Sequence, residues 1–181
     1  MLSNVDVKKE IGSICARKLP AILSQVCRDS SSPFYGCFDR DWWHYKIRDF
    51  PSIVLQQGGV VVNEAVEAKL IYEQDSKLAK DIVRASLAFW DKRARKYGAF
   101  EEYYPFERSY PGLAFSTYAA ASILESNLDM LVQVRSSLVL AVEQLVSRTE
   151  VQAINQQIAG LAALAKLYQI DPNLFPDKFD L

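Results

Sequence analysis

The chain is poor in the residues that break or staple small folds. Its 181 positions hold seven glycines, seven prolines, three cysteines and one histidine. So few breakers exclude a loop-dominated or low-complexity chain. Cys15, Cys27 and Cys37 are odd in number and lack metal-ligand spacing, so neither a disulfide framework nor a cysteine metal site is expected. The formal charge of -1 and a pI near 5.9 provide no basic surface. Nucleic acid is therefore not an expected partner, because phosphate binding draws on counterion release to a cationic face. No uninterrupted apolar run reaches the roughly 18 to 20 residues that span a bilayer, and no membrane partner is expected. The opening MLSNVDVKKEIGS mixes charges where a secretory segment would be apolar. These absences point to a cytoplasmic protein with reduced thiols, no cofactor and no metal.

Half of the residues are hydrophobic and 24% are charged. At this length one helix-rich domain, residues 1–181, can bury a substantial core without staples. A motif occurring twice organises it. Residues 35–51 read YGCFDRDWWHYKIRDFP and residues 97–111 read YGAFEEYYPFERSYP. Tyr-Gly, Phe, acid, aromatics, Arg and aromatic-Pro follow in the same order, with the second copy two residues shorter. A period of about 60 residues accommodates two helices and their loops, so each copy is expected at the junction of an αα-hairpin.

Helical spacing predicts a first helix from Val5 to Cys27, with Pro20 as a kink or break. Residues 52–72 read as a helix interrupted near Gly58-Gly59, with a short strand over Val60 to Val62 as the alternative. Asp75 or Ser76 is the expected cap of a helix running to Tyr97. An alanine-rich helix follows over Leu113 to Leu128, then an amphipathic one carrying Leu131, Val134, Leu138, Val142 and Leu145. Thr149 with Gln152 forms a capping box for a last helix carrying Val151, Ile154, Ile158, Leu161, Ala165 and Tyr168. Six or seven helices in antiparallel hairpins result, with both motifs on one rim.

The motifs gather carboxylates, arginines and aromatic rings, a combination suited to sugars. Trp42, Trp43, Tyr103 and Tyr104 offer stacking faces, while Arg48, Arg108, His44 and Glu107 offer hydrogen bonds to hydroxyl or acidic groups. Glycoside hydrolysis needs two carboxyl groups across the scissile bond, and Asp39 or Asp41 against Glu101 or Glu102 are the available pairs. Elimination on a uronic acid polymer needs a base such as His44 or Tyr104 and a cation such as Arg108. The alternative is structural: the repeated glycine, proline and aromatic positions shape a turn, and Arg48 and Arg108 pair with Asp39 and Glu101. Cys37 corresponds to Ala99 in the second copy, which suits a small buried residue.

The segments FDRDWWHYKIRDFP and GAFEEYYPFERSYPGLAFSTYA resemble bacterial proteins of the α/α-toroid, or six-hairpin, type, the architecture of heparinase-like lyases, several glycosidases and terpenoid cyclases. The likeness covers about the middle half of the chain and is one of pattern. It implies a substrate cleft where the hairpin loops gather and a polysaccharide or oligosaccharide ligand. A full toroid needs about a dozen helices, so this chain is expected to form a partial or open ring. The competing expectation is a non-enzymatic helical module that binds a partner protein or forms a homo-oligomer.

Overall fold

The computed structural model describes residues 4–38, 40–42, 45–47, 58–71, 73–97, 100 and 108–175. Within these the protein is mostly helical, as the all-α reading expects. Six α-helices are present: α1 (Asn4–Leu23), α2 (Val60–Glu67), α3 (Glu73–Tyr97), α4 (Tyr110–Ser126), α5 (Leu131–Ser147) and α6 (Ile154–Ile170). One antiparallel ribbon interrupts them, β1 (Arg40–Trp42) against β2 (Tyr45–Ile47), with Asp41 opposite Lys46 and Trp42 opposite Tyr45. The first motif thus holds a β-hairpin where a plain interhelical turn was expected.

The end of α1 and the starts of α3 and α6 depart from expectation, each for a local reason, while the start of α2 agrees with the helical reading. The first helix stops at Leu23, short of Cys27, because Val26 leaves it to bridge Phe38 and the Cys27 amide donates to the Cys37 carbonyl at 2.8 Å. The helix passes through Pro20 before ending. Helix α2 starts directly after Gly58-Gly59, so Val60 to Val62 are helical and the short-strand alternative does not hold. Helix α3 begins at Glu73, which places Asp75 and Ser76 in its first turn instead of at its cap. Helix α6 has Ala153 at its cap with no side-chain bond; in place of the Thr149–Gln152 box, the Glu150 carboxylate accepts from the Gln152 and Ala153 amides at 2.6 and 3.3 Å.

A single apolar cluster joins the helices. Helix α3 is bolted to its neighbours by buried polar groups, whose desolvation is costly unless each finds a partner. Trp90 Nε1 donates to Ser116 Oγ of α4 at 3.1 Å, and Ser137 Oγ of α5 donates to Asp91 Oδ1 at 2.7 Å. At the far end, Asn127 Nδ2 donates to Asn63 Oδ1 at 3.0 Å, tying α2 to the end of α4. Helix α5 with its preceding turn, Leu128–Ser147, is long and apolar enough by composition to cross a bilayer. Here Val134, Leu138, Ala141 and Val142 on it are wholly buried, the pattern of a core helix.

The repeated motif enters the core at equivalent points. Phe38 and Phe100, its two phenylalanines, are each 1% exposed, and Phe100 lies 5.5 Å from Trp90 between ring centroids. The first copy also needs both of its flanking glycines. Gly36 has φ +83 and lies so close to α3 that a β-carbon would overlap the Ala85 carbonyl, while a β-carbon on Gly58 would overlap the Phe38 ring. Cys37 is buried beside them, as the small-residue reading expects. Replacing Gly36 with alanine adds left-handed strain to a clash with rigid backbone. Gly36→Ala should therefore lower stability by about 2 to 5 kcal/mol, read as a fall in the thermal unfolding midpoint.

Candidate interaction surface

Helices α4, α5 and α6 run up, down and up, and the most extensive helix contact is between the two parallel members, α4 and α6. Tyr110 at the start of α4 reaches Gln157 and Gly160 near the start of α6, and Glu125 near the end of α4 pairs with Lys166. The approach is close because the facing residues are small. A β-carbon on Gly160 would overlap the Tyr110 hydroxyl, and α6 buries only Gly160, Ala163 and Leu167. Ala114, Thr117 and Ala121, wholly buried on α4, follow Tyr110 at helical spacing.

This packing turns the large residues of α6 outward. Val151 just before the helix is 85% exposed, Ile154 77%, Ile158 58%, Leu161 56% and Tyr168 50%, and Ala165 in the same row is exposed. The row that helical periodicity marks as the apolar face of the last helix is its solvent face. Both of its ends are held. Gln157 Oε1 accepts from the Glu150 amide at 2.8 Å and from the Tyr110 hydroxyl at 3.3 Å. Beyond the helix, Arg135 Nη1 donates to Asp171 Oδ2 and its Nη2 donates to the Asn173 carbonyl at 2.8 Å. Tyr168 meets the Phe175 ring edge-on, with centroids 5.4 Å apart.

Charge and burial set two titrations here. Burial raises the Tyr110 hydroxyl above the ordinary tyrosine range, opposed by the Arg148 guanidinium lying 5.6 Å over its ring. The hydrogen bond from Arg135 holds the Asp171 carboxyl below its ordinary value, with the Asn173 amide and side chain adding to it.

The sugar-directed residues fall elsewhere. Asp39, Trp43, His44, Arg48, Glu101, Glu102, Tyr103, Tyr104 and Glu107 lie outside the described residues. Asp41 and Trp42 are placed by their backbone in β1. Arg108 is exposed, with φ 52, and lines a cleft of about 410 Å³ with Gln144, Ser147 and Arg148. Arg148 Nη2 donates to the Arg108 carbonyl at 2.8 Å, and Ser109 Oγ caps α4 by accepting from the Gly112 amide at 3.0 Å. Among the described residues Arg108 makes no ion pair, and no group of acids, histidines and cysteines could hold a metal. No known protein family matches this chain, and neither does any curated protein or solved structure.

Because Asp171 has a depressed folded-state value, its contribution is complete above the ordinary carboxylate value of 3.8 and is lost as pH falls through the lower folded one. Arg135→Gln should lower stability by less than about 1 kcal/mol near neutral pH, since the guanidinium is partly solvated. That deficit should shrink below the ordinary carboxylate value, read as converging unfolding midpoints of variant and parent.

Proposed function

We propose that the protein is a non-enzymatic helical interaction module whose working surface is the outward row of α6. The observation that carries this reading is a continuous line of large apolar side chains, half to five-sixths exposed, on a helix whose other face is already packed. Scattered exposed hydrophobics are normal on a soluble surface, but a contiguous row of this size marks a place of contact. The phenylalanines of the repeated motifs, Phe38 and Phe100, serve the core. In dilute solution a solvatochromic apolar dye should bind the parent and lose that binding in Ile158→Gln/Leu161→Gln. The variant's unfolding midpoint should move by less than about 2 °C, as for exposed positions. A large drop would make the row part of the core and sink the reading.

A second reading is supported by the Arg108–Arg148 cleft. Two guanidinium groups with Gln144 and Ser147 suit an acidic sugar, the arginines for a uronate carboxylate and the amide and hydroxyl for ring hydroxyls. In this reading the chain is a partial α/α toroid, the cleft belongs to the rim where the hairpin loops gather, and a polysaccharide is bound there or processed by hydrolysis or elimination. Uronic acid oligosaccharides should then raise the parent's unfolding midpoint by mass action, neutral ones should not, and Arg108→Ala should abolish the rise. Absence of any rise in the parent overturns it.

A further inference from the structure

We propose that the partner of α6 is a second copy of the same chain, packed antiparallel across a two-fold axis as a short coiled coil; this deepens the interaction-module reading and rests on it. Val151, Ile154, Ile158, Leu161, Ala165 and Tyr168 are separated by three, four, three, four and three residues, and every one is exposed. From Ile154 onward that alternation suits the 3.5-residue repeat with which two helices keep an apolar seam turned toward each other, and Val151 adds to its end from the segment ahead of the helix. Helix α6 meets its own core with a different row, Gly160, Ala163 and Leu167, which leaves the exposed row to face another helix.

The residues beside the seam select the occupant. Within the helix Asn155, Ala162 and Gln169 flank one side and Gln157 and Leu164 the other, so no charge borders the helical part of the row; Glu150 lies beside Val151 ahead of the helix, its carboxylate accepting from the Gln152 and Ala153 amides. The one charged residue of the helix, Lys166, is engaged by Glu125. A helix that lies on a membrane carries basic residues beside its apolar arc, and a seam built for a foreign helix selects it with flanking charges. Here a copy related by a two-fold axis brings no like charges together along the helical part of the row and finds its own apolar spacing repeated.

Side-chain size selects the direction. Antiparallel pairing sets Tyr168 against Val151, Ala165 against Ile154 and Ile158 against Leu161, so the bulkiest and smallest residues each meet one of intermediate size. Parallel pairing would stack alanine on alanine beside tyrosine on tyrosine, leaving a gap next to a bulge. Opposed helix dipoles also favour the antiparallel arrangement. The exposed side chains offer a few hundred Å² per copy, which places a pair at or below the roughly 1,200 Å² lower edge of stable interfaces. The dimer is accordingly concentration-dependent.

The test is sedimentation velocity of the full chain across the micromolar range, repeated with Ile158→Glu/Leu161→Glu and with the milder Ile158→Gln/Leu161→Gln. The parent should pass from monomer to dimer, and the glutamate variant should associate at least about 100-fold more weakly, as expected when two central seam residues are lost. Mixing Ile154→Cys and Ala165→Cys chains under oxidation should join these two positions between chains, identified by peptide mass. A parent that stays monomeric, or a folded variant that still dimerises, overturns self-pairing, and a cross-link between two copies of position 154 overturns the antiparallel direction. A monomeric parent that still binds dye through the row leaves the interaction module standing with another partner. A monomeric parent without such binding removes both.

Discussion

The close approach of α4 and α6 constrains the rest of the helical bundle. Two helices come this near only where small residues face each other, and Gly160 is the tightest point because the Tyr110 hydroxyl occupies the space of its absent β-carbon. The arrangement aligns α6 parallel to α4 and requires α5 to return between them. It also decides which row of α6 reaches water. Large residues turned inward would hold the helices apart and open voids around the alanines of α4, so dispersion contacts along the whole seam favour the small row.

Helix α3 plays a complementary role on the other side of the core. Its buried Asp91 and Trp90 receive hydrogen-bonding partners from α5 and α4, and its backbone at Ala85 receives Gly36 of the first motif. Arg93 of the same helix is buried with its guanidinium 5.6 Å from the Phe34 ring and 5.2 Å from the Phe89 ring. The two copies of the repeat therefore deliver their phenylalanines to one shared core, and the conformationally demanding glycine is explained by close approach to α3. Gly36 and Phe38 of the first copy and Phe100 of the second have a packing cause that requires no ligand.

Helix identity was legible in the sequence because α3, α4 and α5 carry apolar residues at helical spacing over many turns, long enough for one period to dominate. Helix ends were less legible. Asp75 and Ser76 have capping chemistry, but the helix starts upstream, and Glu150 supplies the amide acceptors expected of Thr149. These are local competitions between groups one or two residues apart, decided by tertiary position. The ribbon in the first motif was missed because residues 40–47 combine β-favouring aromatics with charges and give too short an alternation to read. For the candidate surface, spacing located the row but not its direction. Both faces of α6 are apolar, and only the small residues of α4 determine which is buried. The unequal sizes of the two rows, Gly160, Ala163 and Leu167 on one and Ile154, Ile158, Leu161, Ala165 and Tyr168 on the other, were the available signal.

That inequality bears on function through its cost. Burying a large aliphatic or aromatic side chain stabilises by about 1.5 to 3 kcal/mol, so a helix that fully buries only Gly160, Ala163 and Leu167 and leaves Ile154, Ile158, Leu161 and Tyr168 half or more exposed forgoes a substantial part of its hydrophobic stabilisation. Among the described residues these side chains stay half or more exposed on one face of the helix. A surface that covers the row recovers the forgone stabilisation all at once, and does so best with the same 3.5-residue period. The Arg108–Arg148 cleft carries a smaller imbalance, since solvated guanidinium groups are well hydrated before any ligand arrives. Between the two surfaces, the apolar row therefore provides the larger driving force for association.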